Sequence, residues 1–249
     1  MGLPKTILIT GATSDFGVAF AKKFAEAGAQ KIYLHGRNAD KLAALQKMLP
    51  CETEILLCDL SDKQAIDQAF AGLKDIDLLI NNAGGALGLE KVYEAKPEDW
   101  EQMVEANVSS LIRITRHILP DMVARRSGHV INISSVAGSW PYPGGHVYCA
   151  SKAFATQFSL AMRADLVGTN VRVTSIEPGL VETEFSLKRF KGDQKKAAAV
   201  YADTRPLKAA DIAETVFFAA AMPEHANITR LEIMSTDQAT GPFQIYRGA

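Results

Sequence analysis

Apolar positions in this chain fall into two kinds of run that alternate from end to end. Short stretches rich in Ile, Leu and Val, at 6–10, 31–35, 54–58, 78–81, 129–133, 172–176 and 228–234, predict β-strands. Leu78-Leu79-Ile80 and Val130-Ile131 are apolar on successive residues rather than alternate ones, the pattern of strands covered on both faces. Longer amphipathic segments between them predict helices beginning near Phe16, Ala39, Lys63, Glu98, Ser109, Tyr148 and Ala210. Such alternation predicts the α/β class, with a doubly wound, seven-stranded parallel sheet flanked by helices. Gly28 stands where the first helix should stop, and Ser61 with Gln64 has the spacing of a capping box. No linker, repeat or low-complexity tract divides the chain, so residues 1–249 are expected to form one domain. Residues 182–204 fit no strand. They mix Phe185, Phe190 and Tyr201 with a basic cluster, and an insertion after a late strand is where an α/β enzyme carries a substrate lid.

Composition narrows the partners. With 47% hydrophobic and 22% charged residues the chain can bury a large core, and a formal charge of -1 argues against long-range attraction to nucleic acid or an anionic membrane. No run approaches the roughly 20 apolar residues of a membrane span, and the first residues lead straight into a strand without a signal-peptide pattern. A small-molecule partner and a cytoplasmic location are expected. Cys51, Cys58 and Cys149 are 3 in number and lack metal-ligand spacing, so reduced thiols are expected, with no metal.

The first predicted strand runs into Thr10-Gly11-Ala12-Thr13-Ser14-Asp15-Phe16-Gly17 and then a helix. A tight glycine turn ahead of a helix N-terminus presents backbone N–H groups and the positive end of the helix dipole to a phosphate, although many such turns are only turns. Asp15 is a good N-cap for a helix starting at Phe16, with its carboxylate turned onto the first N–H groups of that helix. The second strand ends Leu34-His35-Gly36-Arg37-Asn38 without an acid to bind a free ribose 2′-OH. Arg37 is placed either to pair with a 2′-phosphate, as NADP(H) would require, or as a solvated surface side chain. Asp59 is an adenine acceptor or a turn cap with Ser61. Small residues in Asn81-Asn82-Ala83-Gly84 would allow close approach to a cofactor, and the two Asn are otherwise turn-formers.

Tyr148 and Lys152 lie one helical turn apart at the start of a predicted helix. An ammonium near a phenol lowers the tyrosine pKa from its usual ~10 by about 1–3 units, into range for proton transfer. Ser135 ends the fifth strand, at the carboxyl edge where open parallel sheets bind ligands, and can donate to a reacting oxygen. Ser134 fills the strand end, and Asn107 either orients a water or bonds backbone.

The ordered set Thr10–Gly17, Asn81–Gly84, Ser135, Tyr148–Lys152 and Pro178-Gly179 resembles the short-chain dehydrogenase/reductase family over nearly the whole chain. The resemblance implies a single-domain Rossmann fold and an oxidoreductase interconverting an alcohol and a carbonyl. It implies that Ser135 polarises the carbonyl, Tyr148 is the acid/base, Lys152 lowers its pKa and holds the nicotinamide ribose, and Asn107 completes a water relay. By the same resemblance Gly11, Thr13, Ser14, Asp15, Phe16, Gly17, Arg37, Asp59, Asn82, Ala83 and Gly84 line the cofactor, with Pro178, Gly179, Val181 and Thr183 by the nicotinamide. Asp15 departs from the usual Gly, and it is expected to weaken cofactor binding. A homotetramer through the helices carrying Asn107 and Tyr148 is implied, or a dimer.

The stretches 138–145 and 178–186, with Arg189-Phe190-Lys191-Gly192 beyond, resemble the family's NADP-dependent 3-hydroxy acid (serine or L-allo-threonine) dehydrogenases. That branch acts on small 3-hydroxy acids or on 3-oxo acids such as malonic semialdehyde. Arg189, or less favourably Lys191, would meet the substrate carboxylate, with Trp140 and Tyr142 as pocket walls or core. Two other readings compete: a broad NADPH carbonyl reductase for uncharged ketones and aldehydes, and a dinucleotide-binding regulator without turnover. The intact Ser135/Tyr148/Lys152 set speaks against the regulator.

Overall fold

The computed structural model describes residues 2–240. β1 (Thr6–Ile9), β2 (Lys31–Gly36), β3 (Glu52–Leu57), β4 (Leu78–Asn81), β5 (Gly128–Ile133), β6 (Val171–Pro178) and β7 (Arg230–Ile233) form a 7-stranded sheet in the order β3-β2-β1-β4-β5-β6-β7. Every pairing is parallel. Strand direction is fixed by helical crossovers, and the order reverses between β1 and β4, the kind of switch point where open α/β sheets form their binding crevice.

Helices cover both faces, which explains the unbroken apolar runs. Ile7 and Ile9 of β1 point into one core with Phe20 and Phe24 of α1 (Asp15–Glu26), Leu42 of α2 (Ala39–Met48) and Val216 of α9 (Ala209–Ala220). Leu8, between them, joins the other core with Ile66 of α3 (Lys63–Phe70), Ile114 of α5 (Ser110–Arg125) and Met162 of α6 (His146–Asp165). Phe24 meets Phe217 of α9 at 5.5 Å between centroids. Among the described residues, no helix is long and apolar enough to cross a membrane, and Cys51, Cys58 and Cys149 are free thiols.

Several local expectations are corrected. The helix expected at Phe16 begins at Asp15, and its cap is Ser14, whose Oγ accepts from Gly17 N at 3.1 Å. Asp62, rather than Ser61, caps α3, because its carboxylate reaches the amides of both Gln64 and Ala65 at 2.9 and 3.1 Å. Ser61 instead donates its amide and hydroxyl to Asp59 Oδ1. The helices expected from Glu98 and Ser109 are continuous: α4 (Pro97–Val104) passes through a π-helical turn at Glu105–Ser109 directly into α5. Such a turn inserts a residue into the helical ladder without needing a cap. Residues 182–204 hold two short helices, α7 (Phe185–Arg189) and α8 (Gln194–Ala199). A bridge between Val181 and Leu207 closes the base of this excursion.

Candidate active site

The β1–α1 turn is built for close approach. A Cβ on Gly17 would lie 2.3 Å from the Gly11 carbonyl oxygen, so only glycine lets the helix start this near the strand end. Thr10 Oγ1 accepts from the amides of Asn82 and Ala83, both at 2.9 Å. Asn82 Nδ2 donates back to Thr10 O, Gly11 O and Ser14 Oγ at 2.9–3.1 Å, so it braces the turn from the β4 end. Sequence reasoning missed His35. Its Nδ1 accepts from Gly11 N at 3.2 Å and its Nε2 faces Cys58 O at 3.3 Å, which needs the neutral ring with its proton on Nε2. Burial lowers its pKa from 6.5 to about 4, consistent with that neutral form.

The cap by Ser14 takes the Gly17 amide and leaves those of Asp15 and Phe16 uncommitted, so the helix end can receive an anion. At the end of β2, Arg37 is exposed and reaches Asp59 at 3.4 Å. Asp59 is held below the usual carboxylate range chiefly by the Ser61 amide, with help from the Ser61 hydroxyl and Arg37. Turn amides and an exposed guanidinium at the edge of the same crevice fit a dinucleotide carrying a 2′-phosphate. Among the described residues, no group of His, Cys, Asp or Glu converges to hold a metal ion.

Farther along the carboxyl edge, the short 3₁₀ turn Val136–Gly138 packs on α6. A Cβ on Gly138 would come 2.8 Å from the Lys152 carbonyl carbon, so glycine brings Ser135 and the α6 helix together. Ser135 accepts from Ala137 N at 3.1 Å, and its hydroxyl opposes the rise in the pKa of the Tyr148 phenol. Asn107, in the π turn, holds both polar groups of the Gly85 backbone and donates to Ser151 on α6 at 2.9 Å. Ser134 donates to Lys152 O at 2.7 Å and bonds Thr156, which donates to the fully buried Glu177. Arg230 of β7 pairs with that carboxylate at 2.6 Å. Glu177, also unread in the sequence, therefore anchors a polar chain that fixes the first turns of α6.

Electrostatics at Tyr148 differ from expectation. Burial pushes its phenol above the usual 10.0, with Tyr142 adding to the rise and Ser135 and Arg189 opposing it. Lys152 Nζ donates to Ile133 O at 2.9 Å and sits 5.9 Å from the Tyr148 ring centre, so it is not what sets the phenol here. Burial lowers Lys152 itself to about 8.

Residues 182–204 reach over this site. Arg189 donates from Nε to Gly88 O at 3.1 Å and from Nη2 to Tyr142 Oη at 2.6 Å. Its guanidinium carbon lies 5.3 Å from the ring centres of both Tyr142 and Tyr148, and Phe185 packs on Tyr148 at 5.7 Å. Lys191, the weaker substrate candidate, is committed to Asp99 of α4 at 2.7 Å. Trp140 is 49% exposed and donates to Glu232, which removes it from the core. Thr183 accepts from Phe185 N at 3.3 Å. Pro178 receives the Ser135 hydroxyl on its carbonyl at 3.4 Å, and Gly179 N bonds Ile233 O at 2.8 Å. The carboxylate of Asp15 is not on its own helix: Oδ2 accepts from Glu184 N at 2.7 Å.

A doubly wound sheet with this turn, and with Ser, Tyr and Lys gathered at its carboxyl edge, is the framework of the short chain dehydrogenases. The family matches residues 5–194, and the chain belongs to it. The NADP-dependent 3-hydroxy acid dehydrogenase YdfG of Salmonella typhi is 48% identical, over 97% of this chain and 99% of its own length. Serine 3-dehydrogenase of Rhizobium radiobacter is 46% identical, over 97% of this chain and 98% of its own. The closed form of a serine dehydrogenase complexed with NADP+ superposes with a TM-score of 0.94 at 45% identity, covering 98% of this chain and all of that one.

Proposed function

We propose that the protein is an NADP(H)-dependent dehydrogenase that interconverts the hydroxyl and carbonyl forms of small 3-hydroxy acids such as serine, L-allo-threonine and 3-hydroxypropionate. The observation that carries the substrate class is Arg189: a half-buried guanidinium fixed by Gly88 and Tyr142 within 5.3 Å of the Tyr148 ring centre, with donors left over for a carboxylate. Full-length likeness to enzymes named for 3-hydroxy acids and serine supports the same reading.

In this reading residues 182–204 are a lid. The substrate carboxylate pairs with Arg189 and its hydroxyl lies between Ser135 and Tyr148. Ser135 donates to the reacting oxygen, and the Tyr148 phenolic oxygen takes the hydroxyl proton during oxidation and returns it during reduction. When bound, the nicotinamide accepts or supplies the hydride at the carbinol carbon. With its pKa near 8, Lys152 is cationic at neutral pH, placed to hold the cofactor ribose and to favour phenolate once that ribose draws it from Ile133 O. Asn107 keeps Gly85 and α6 in register beside it. Arg37 binds the 2′-phosphate, and the amides of the 10–17 turn receive the pyrophosphate. The half-exposed Ile112 and Phe154, on α5 and α6, support a homo-oligomer, proposed as a tetramer, joined through these helices.

Purified protein with NADP+ and the three hydroxy acids, followed at the nicotinamide absorbance, tests the assignment. Turnover with acids and little with NAD+ is expected. Arg37→Ala should weaken NADP+ binding by roughly tenfold or more while leaving NAD+ nearly unchanged, and equal losses would return Arg37 to a surface role.

A further inference from the structure

Helix α6 carries three hydroxyl side chains beyond Tyr148, at Ser151, Thr156 and Ser159, and they do not bond alike. Ser151 and Ser159 turn back onto their own helix, donating to Tyr148 O at 2.8 Å and to Ala155 O at 2.7 Å, the usual recourse of a buried hydroxyl inside a helix. Thr156 stands one turn beyond Lys152 and could turn back onto Lys152 O in the same way. It donates instead to Glu177 Oε1 at 3.1 Å. Lys152 O, besides its place in the helical ladder, receives the Ser134 hydroxyl from the end of β5 at 2.7 Å. A carbonyl oxygen has two lone pairs, so a Thr156 hydroxyl turned onto it would compete with Ser134. Glu177 is fully buried, and proton transfer makes no use of it. Its Oε1 also accepts from Ser175 at 3.1 Å, and Arg230 supplies the counter-charge that a buried carboxylate needs.

We propose that Glu177 is a positioning residue: it draws the Thr156 hydroxyl off its own helix and so reserves Lys152 O for Ser134, which locks the strand end presenting Ser135 to the helix presenting Tyr148 and Lys152. The proposal rests on reading those three as the reacting set. Ser134 lies between Ser135 and Ile133, whose carbonyl takes the Lys152 ammonium at 2.9 Å, so a shift of Ser134 moves groups on both sides of it. Glu177→Leu removes the acceptor and sends Thr156 back to Lys152 O, whereas Glu177→Gln keeps an oxygen for it.

The crystal structure of the full-length Glu177→Leu protein should show Thr156 Oγ1 within hydrogen-bond distance of Lys152 O and Ser134 displaced. With whichever of serine, L-allo-threonine and 3-hydroxypropionate the parent oxidises, kcat should fall roughly 10- to 100-fold in Glu177→Leu, while KM and NADP+ affinity stay within about twofold. Glu177→Gln should lose less than about fivefold. Adding Thr156→Val to Glu177→Leu removes the competing hydroxyl and should restore most of the lost kcat, a recovery that a merely structural role would not give. Should Glu177→Leu fail to fold, Glu177→Leu/Arg230→Met, which also removes the stranded charge, carries the same measurements. Ser134 still on Lys152 O, an unchanged kcat, or no recovery with Thr156→Val would overturn the proposal. Absence of turnover in the parent would overturn the substrate reading instead, and the crystal structure would still decide the role of Glu177.

Discussion

The turn at 10–17 and the segment at 182–204 meet across the carboxyl edge of the sheet, and they are held by opposite means. The turn is fixed by the buried Thr10 and His35 together with the half-buried Asn82: Thr10 and Asn82 exchange hydrogen bonds across β1 and β4, while His35 grips Gly11 from β2. In a medium of low dielectric each of these bonds is strong, and each would leave an unsatisfied donor or acceptor if broken. The lid is fastened by the Lys191–Asp99 pair, the Asp15–Glu184 contact and the Arg189 bonds, most of them open to solvent, where water competes for every partner. A rigid cradle beside a reversible cover is what a cofactor enzyme needs: the reacting groups are placed once, and the substrate passes in and out.

The largest break should come at the fixed side. Tyr148→Phe keeps the buried ring and removes the oxygen, so turnover should fall by about 10²–10⁴-fold while NADP+ affinity, measured by titration calorimetry, is nearly retained. Near-normal turnover would remove Tyr148 from proton transfer.

A smaller effect should follow acidification of the cradle. His35 has a folded pKa of about 4 against 6.5 ordinarily, so between those values the unfolded chain binds more protons than the native one. Stability is therefore full above pH 6.5 and declines as pH falls through 4, by up to about 3 kcal/mol. Protonation also removes the acceptor for Gly11 N. Denaturant midpoints across this range should lose most of that decline in His35→Gln, whose oxygen can still accept. The same decline in parent and variant would place the acid sensitivity elsewhere.

The smallest effect belongs to the lid's exposed fastening. Lys191→Ala removes a pair worth about 0–1 kcal/mol, so the Michaelis constant for hydroxy acids should change by less than about fivefold. A tenfold rise would put Lys191 back at the substrate.

The same division decides what could be read from the chain. Ile7, Leu8 and Ile9 announce a strand covered on both faces, and Ser135, Tyr148 and Lys152 sit at spacings that local geometry converts directly into a shared site. Other features depend on partners far away in sequence. His35 looks like a strand-end residue until β1 is laid beside β2, and Glu177 like an ordinary acid until Arg230 arrives from β7. Asp15 reads as a helix cap because no local pattern reveals that Ser14 takes that task and Glu184 comes within 2.7 Å. Where the Lys152 ammonium rests is hidden for a related reason: spacing places it on one helix face with Tyr148, but the Ile133 carbonyl, from another element, takes its hydrogen bond here.

The central claim, that Arg189 presents a 3-hydroxy acid by its carboxylate to Tyr148, is tested most directly by comparing kcat/KM for each hydroxy acid and its methyl ester in the parent enzyme and in Arg189→Ala. Strong preference for the acid is expected in the parent, and loss of one partner of a charged pair should reduce that preference by about thirty- to a hundredfold while the ester is little affected. Equal loss on acid and ester, or an undiminished preference in the variant, would contradict the account.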